Sequence, residues 1–370
     1  MAQLTWNFYS ASTGYFTAQV LSASYSTGRE SQYDSYSPGG LTITIDNSAN
    51  YVNNFSLADL ISLQDTVPFT NFRQNFWLSN IELNDAAGNA NGSTAVLYCT
   101  DVLGRLGRAQ VFNRTITSNQ TMFQISDTFQ TEMPGAGTIT FSSAGDSTAA
   151  GFVNYSSTPL DRLNLNMATE QGTLSLRDGD LFLNGRSTVA SPSLVIFDRT
   201  ASGPNQIGYT NITRKKLGQN YVNTFTVTPT VAAAQNAVNT AGQSTYGIYS
   251  GELASVDNTA AQALGLAQFV TYSRDDPDEL SFTVEFNDLG NDLFNLMESI
   301  YATENFFKVK YKKPGSNITT TANQILQGYQ MEMTPEQTVF TYFFSPLTFV
   351  NFFTLDSATL GVLDSSRLGW

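Results

Sequence analysis

Apolar and polar residues alternate one by one through much of the first hundred positions, the period of a strand buried on one face. In Leu41-Thr42-Ile43-Thr44-Ile45 the aliphatic residues share one face and the threonines the other. Pro38-Gly39-Gly40 breaks the chain before this stretch and Asp46-Asn47 after it. Phe76-Trp77-Leu78, Ile81-Glu82-Leu83 and Ala95 to Cys99 read as further strands, with an Asn/Gly-rich loop before the last. The expectation is an antiparallel sheet curled into a small barrel.

Helical spacing appears in three places. Thr158 followed by Pro159-Leu160-Asp161, with Leu160, Leu163 and Met167 on one face and Gly172 as the stop, predicts a capped helix. Ala260, Leu264, Ala267 and Val270 form a stripe that predicts a second helix over 257–272. Leu289, Leu293, Leu296, Met297 and Ile300 predict a third over 288–301. Thr173 to Leu183 reads as a hairpin turning at Arg177-Asp178-Gly179-Asp180. Tyr221 to Val231, Leu280 to Phe286, Phe307 to Tyr311 and Val339 to Phe344 return to strand, the last two as parts of a second barrel. The fold class read from this pattern is mainly β with α/β insertions.

Length and composition sharpen the picture. At 370 residues the chain exceeds what one hydrophobic core ordinarily supports, so several subdomains are expected. Charged residues make up only 13% while aromatics reach 12%, which fits a β-rich protein with broad uncharged polar surfaces suited to subunit packing. The net charge of −13 argues against nucleic-acid binding, which needs a basic footprint, and suits a wall past which DNA slides. The single Cys99 excludes an internal disulfide and a cysteine zinc cage, and its strand setting reads as a buried, inert thiol. No apolar run reaches the ~18 residues of a membrane helix. No leader is read at Met1-Ala2-Gln3, and a soluble product assembled in a cytoplasm is expected.

Candidate chemistry is sparse. With no histidine in the chain, Ser-His-Asp triads, Cys-His pairs and His-based metal sites are excluded, and no phosphate-cradling glycine motif appears. No enzyme and no cofactor are expected. The acidic knot Asp275-Asp276-Pro277-Asp278-Glu279 is a weak calcium candidate through Asp275, Asp276 and Asp278; a solvated loop is the plainer reading. The last residues repeat a phrase, Leu355-Asp356 leading to Leu360-Gly361, then Leu363-Asp364 leading to Arg367-Leu368-Gly369-Trp370. Leu355, Leu360, Leu363, Leu368 and Trp370 are costly to leave in water, so a docking tail is expected. Asp356 and Asp364 fit turn capping there, and Arg367 fits an ion pair with either.

Several of these phrases resemble one family. Val20 to Glu30, with Gly28-Arg29, followed by Asp34, Pro38-Gly39 and Leu41 to Asn47, looks like the opening of minor tail proteins of long-tailed bacteriophages. Asp101 to Arg108 is similar to the family's segment closing the first barrel, and Gly172 to Arg186 to its hairpin. Tyr246-Gly247 before Ala260 to Leu264 resembles its second half, and Thr334-Pro335 through Gly369 its C-terminal signature.

The resemblance implies a baseplate or tail hub, a homotrimer in which two β-barrels per subunit present sixfold-like geometry to a distal tail ring or tube. It implies a first barrel at 1–113, an α/β subdomain at 114–215, a second barrel from 216–243 plus 306–350, an inserted α/β subdomain at 244–305 and a docking tail at 351–370. Arg29 and Asp34 join the C-terminal residues as interface candidates. The implied partners are further copies of the chain, the distal tail or tail tube protein, the tape measure protein and tail-tip or fibre proteins, at the tail tip of a virion. The rival readings are a distal tail ring protein, which shares one such barrel and forms hexamers, and a receptor- or glycan-binding tail protein.

Overall fold

The computed structural model describes residues 6–65, 73–85, 92–130, 139–141, 145, 147–186, 194–197, 205–216, 218–274, 276, 280–303, 306–313, 315–346, 352–353 and 367–368. Among the described residues of the first hundred there are seven strands: β1 (Asn7–Ser10), β2 (Gly14–Tyr15), β3 (Val20–Gly28), β4 (Gly40–Asp46), β5 (Leu60–Gln64), β6 (Arg73–Asn84) and β7 (Thr94–Thr100). They pair antiparallel in the order β2-β1-β5-β6-β7-β4-β3. The alternation decides the faces: Leu41, Ile43, Ile45, Ala95 and Leu97 are all wholly buried on one side. The two strands expected over 76–83 are one long strand. A bulge at Ser79 shifts its register against β7 between Leu78 and Asn80, and this interrupts the apolar period without ending the strand. Cys99 is buried, and burial pushes its thiol well above the ordinary range.

A mixed block follows, built of α1 (Val102–Arg108), β8 (Val111–Ile116), α2 (Met122–Gln130), β9 (Ile139–Phe141), β10 (Phe152–Ser157), α3 (Pro159–Glu170), β11 (Thr173–Arg177) and β12 (Asp180–Asn184). Thr158 caps α3 as its sequence requires, its hydroxyl accepting the Asp161 N–H at 3.0 Å. The β11–β12 hairpin turns at Asp178-Gly179, both at positive φ, as two-residue turns of this kind demand. Leu103, Leu106, Phe123, Leu163, Met167, Leu174 and Leu183 form a core of their own. The segment Asp101 to Arg108, read as closing the first barrel, is instead a helix whose apolar face packs into this second core.

The remaining strands complete the sheet. They are β13 (Leu194–Phe197), β14 (Gln206–Gly208) and β15 (Asn211–Lys216), then a small module of β16 (Thr224–Pro229), β17 (Gln235–Val238), α4 (Thr240–Tyr246), β18 (Ser250–Ser255) and α5 (Ala260–Ser273). After it come β19 (Leu280–Asn287), α6 (Asn291–Thr303), β20 (Phe306–Lys312), β21 (Thr319–Met333) and β22 (Thr338–Pro346), and two short strands, β23 (Phe352–Phe353) and β24 (Arg367–Leu368), pair with each other.

Among the described residues fourteen strands thus form one curled sheet: seven up to Thr100, the first half, and seven from Leu194 on, the second half. The second half differs from the expectation in its strands. The run 224–229 pairs with β17 and β18 in a separate three-stranded sheet covered by α5, while β19, expected in an insertion, lies between β15 and β22. The reason is burial: Val227 faces Ala267 and Val270 in a small core, whereas Phe282, Val284 and Phe286 face the main one. One hydrophobic core runs under both halves of the sheet. Among the described residues the chain is therefore mainly β, with a curled sheet and six α-helices.

Candidate assembly surface

The feature that organises the molecule is the seam between the halves. The fifteen-residue strand β21 pairs with β20 through its first part, from Thr319 to Ile325, with β22 from Gln324 to Met333, and with β3 through its last part, from Gly328 opposite Gly28 to Met333 opposite Ala23. Two glycines meet where the chain passes from one half to the other, and neither tolerates a side chain. Gly28 holds φ at +79°, and a Cβ on it would lie 2.4 Å from the Gln327 carbonyl oxygen; one on Gly328 would lie 2.4 Å from the Thr27 carbonyl oxygen.

Beneath the seam four tyrosines, Tyr25, Tyr301, Tyr329 and Tyr342, are buried together. Tyr329 stacks on Tyr342 at 5.1 Å and meets Tyr25 edge to face at 5.6 Å. Glu298 of α6 reaches into this cluster and is 1% exposed. Burial pushes its carboxyl up to about 8, against the pull of the Tyr329 hydroxyl and the Arg177 charge. No hydrogen bond of ordinary length reaches it among the described residues.

Arg29 sits at the edge of the seam. Its Nε donates to Gln327 Oε1 at 2.8 Å, Nη1 to the Asp34 carbonyl at 3.1 Å and Nη2 to the Gly172 carbonyl at 3.3 Å. Its guanidinium carbon lies 4.3 Å from the centroid of Tyr36. Tyr36 is itself held by Asn164, which accepts its N–H at 2.8 Å and donates to its carbonyl at 2.9 Å. The Arg29 side chain therefore joins both halves of the sheet and the mixed block within one chain. Asp34 is exposed, and its carboxylate accepts the Ser31 N–H at 3.0 Å, which closes a local turn.

Asp101 makes a second tie. Its carboxylate caps α1 through the Gly104 N–H at 3.0 Å and holds the Gly39 N–H at 2.8 Å. Burial pushes its carboxyl up to about 7, with the N–H donors pulling down.

The other predicted positions are placed unevenly. Asp276 is exposed and lines a cavity of about 30 Å³ with Tyr33, Arg274 and Ser345, while Asp275 and Asp278 lie outside the described residues. Among the described residues no three metal-ligating side chains come together. Leu355, Asp356, Leu360, Leu363, Asp364 and Trp370 lie outside the described residues; Arg367 and Leu368 form β24, which runs parallel to Phe352-Phe353. Single-residue reasoning missed the tyrosine cluster, because its members come from β3, α6, β21 and β22, and no local pattern connects them. It also missed the exposed stretch that runs from Tyr246, the last residue of α4, through Ile248 to Tyr249, where both tyrosines meet Tyr221 edge to face at 5.3 Å.

No family model matches the chain, and no curated protein matches it in sequence. Solved structures do match. The tail protein from Neisseria meningitidis MC58 superposes with a TM-score of 0.61 at 10% identity, over 92% of this chain and 95% of that one. The 43 kDa tail protein of prophage MuSo2 from Shewanella oneidensis gives 0.59 at 10% identity, over 92% and 96%. An E. coli component of the type VI secretion system, described as structurally similar to the T4 tail proteins gp27 and gp5, gives 0.53 at 10% identity over 89% and 73%. At such identities the likeness is one of fold, and the fold is that of phage tail proteins.

Proposed function

We propose that this chain is a structural tail protein and forms the hub that joins the tail tube or distal tail ring to the tail tip, three copies to a ring. The observation that carries the reading is the pair of seven-stranded halves joined edge to edge through β3 and β21 in one chain. Three such chains present six curled units, which suits a partner of sixfold symmetry. The fold shared with phage tail proteins supports it, and so does the seam, whose ties through Gly28, Gly328 and Arg29 fix the two halves relative to each other. Its proposed neighbours are the distal tail or tail tube protein, the tape measure protein and tail-tip or fibre proteins. The working parts are surfaces rather than reacting groups, and we read the chain as no enzyme.

Symmetry in a reconstructed tail tests the proposal: three copies of the chain at the tip are expected, and six copies around the tube would transfer it to the distal ring. A second reading, glycan or receptor binding, draws on the exposed Tyr246 and Tyr249. Unchanged adsorption of phage carrying Tyr246→Ala and Tyr249→Ala would remove it.

A further inference from the structure

All six lysines of the chain fall in two short stretches, Lys215-Lys216 and Lys308 to Lys313, while the twelve arginines are spread along it. Both stretches lie in windows free of carboxylates, from Arg199 to Gly251 and from Asn305 to Met331. The fold brings these windows together. The Arg214 guanidinium carbon of β15 lies 5.0 Å from the centroid of the buried Tyr311 on β20, so the curl of the second half brings these two strands near one another on its core-facing side.

On β20 the lysines alternate with the buried Phe307, Val309 and Tyr311, which places Lys308, Lys310 and Lys312 on the outer face. Their cross-strand neighbours on β21 are the uncharged Asn323, Thr321 and Thr319, and Lys310 Nζ lies 4.5 Å from the centroid of Phe197. Lysine on an exposed edge strand guards against stray pairing, and that accounts for β15, whose one partner strand among the described residues is β19. It does not account for β20, which is paired on both sides.

The first half carries the opposite charge, with seven carboxylates and two cations in residues 1–100. At one end of that half Asp46 and Asn84 flank Thr94 on either side, which gathers Asp46, Glu82 and Asp85 around the ends of β4 and β6. All three acids are exposed, beside Leu83, which is 54% exposed.

We propose that the lysine face of the second half docks on this acidic end of the first half of another copy, head to tail. The inference rests on the ring proposed above and names its contact. Copies that each carry −13 repel at long range, so association needs a local contact of opposite sign. Two lysine faces repel each other, which disfavours twofold pairing through this surface. A head-to-tail contact is heterologous, and repeated with closure it makes a ring in which first and second halves alternate.

Sedimentation of the full chain at low and high salt tests this, with Lys308→Glu/Lys310→Glu and Asp46→Lys/Glu82→Lys as reversed variants. Wild-type association should weaken as salt rises, and each variant alone should associate about tenfold more weakly, as expected for two or three exposed pairs. Mixing the two variants should restore association. Because Lys308 and Lys310 are half-buried, Lys312→Glu/Lys313→Glu at exposed positions provides a second basic-face variant, with circular dichroism confirming the fold. Wild-type protein that stays monomeric, variants that associate as wild type does, or a mixture without rescue would each overturn the contact. So would retention of duplex DNA by the wild type that is lost in Lys308→Glu/Lys310→Glu, which would assign the face to nucleic acid. Salt-sensitive, rescuable association by a protein absent from the tail tip would sink the hub reading and leave the contact standing.

Discussion

Glu298 is the residue whose environment departs furthest from its chemistry. Its carboxyl belongs to water, yet it sits among four buried tyrosines at the seam, and burial lifts it from 4.5 to about 8. Well below pH 4.5 it is neutral folded and unfolded alike and adds no pH dependence. Between about 4.5 and 8 the unfolded chain releases this proton while the folded chain keeps it, so stability falls through that window and levels off above it. Glu298→Gln removes the titration. Thermal melts of both proteins from pH 4 to 9 should show the wild type losing several degrees relative to the variant across the window. Parallel curves would mean that Glu298 reaches solvent in the folded state. Arg29 teaches the converse lesson: a residue picked out from a motif as an interface candidate has its donors engaged inside its own chain.

At the scale of elements, the capped helix α3 and the β11–β12 hairpin are local objects, and their signals in Thr158 and in Asp178-Gly179 appear as read. The seam is not local. Its tightest point is the apposition of Gly28 and Gly328, 300 residues apart in the numbering of the chain. Gly328→Ala would place a methyl group 2.4 Å from the Thr27 carbonyl oxygen and 2.7 Å from the Arg29 nitrogen, both backbone atoms that cannot turn aside. The expected loss in urea denaturation is on the order of 3 kcal/mol, the upper range for overpacking. A change within about 0.5 kcal/mol, typical of a surface site, would mean that β3 and β21 are less closely apposed.

At the scale of the whole molecule, charge and symmetry act together. In the proposed ring, three chains at −13 would make a strongly negative assembly. If the lysines are taken up in contacts between copies, the pore they surround is left acidic. DNA passing it then releases no counterions to the wall and is not retained. The expected result in a reconstructed ring is a lumen with net negative charge and without lysine. A pore lined chiefly by Arg and Lys would contradict both the passage argument and the placement of β20.

The sequence by itself determined the local objects: strand faces through two-residue alternation, the start of α3 through its Thr158 cap, the β11–β12 turn through glycine, and the absence of histidine chemistry through composition. Each of these depends on neighbours within a few positions, so the chain carries them wherever it folds. Only the tertiary structure decided which strands share a sheet. The runs 224–229 and 280–287 both read as strands, yet one lies under α5 and the other joins β22, because burial against a distant partner, and not periodicity, selects between them. The same holds for the lysines. Their number and spacing are legible in the sequence, but that Lys308, Lys310 and Lys312 share an outward face follows from the burial of Phe307, Val309 and Tyr311 in the main core.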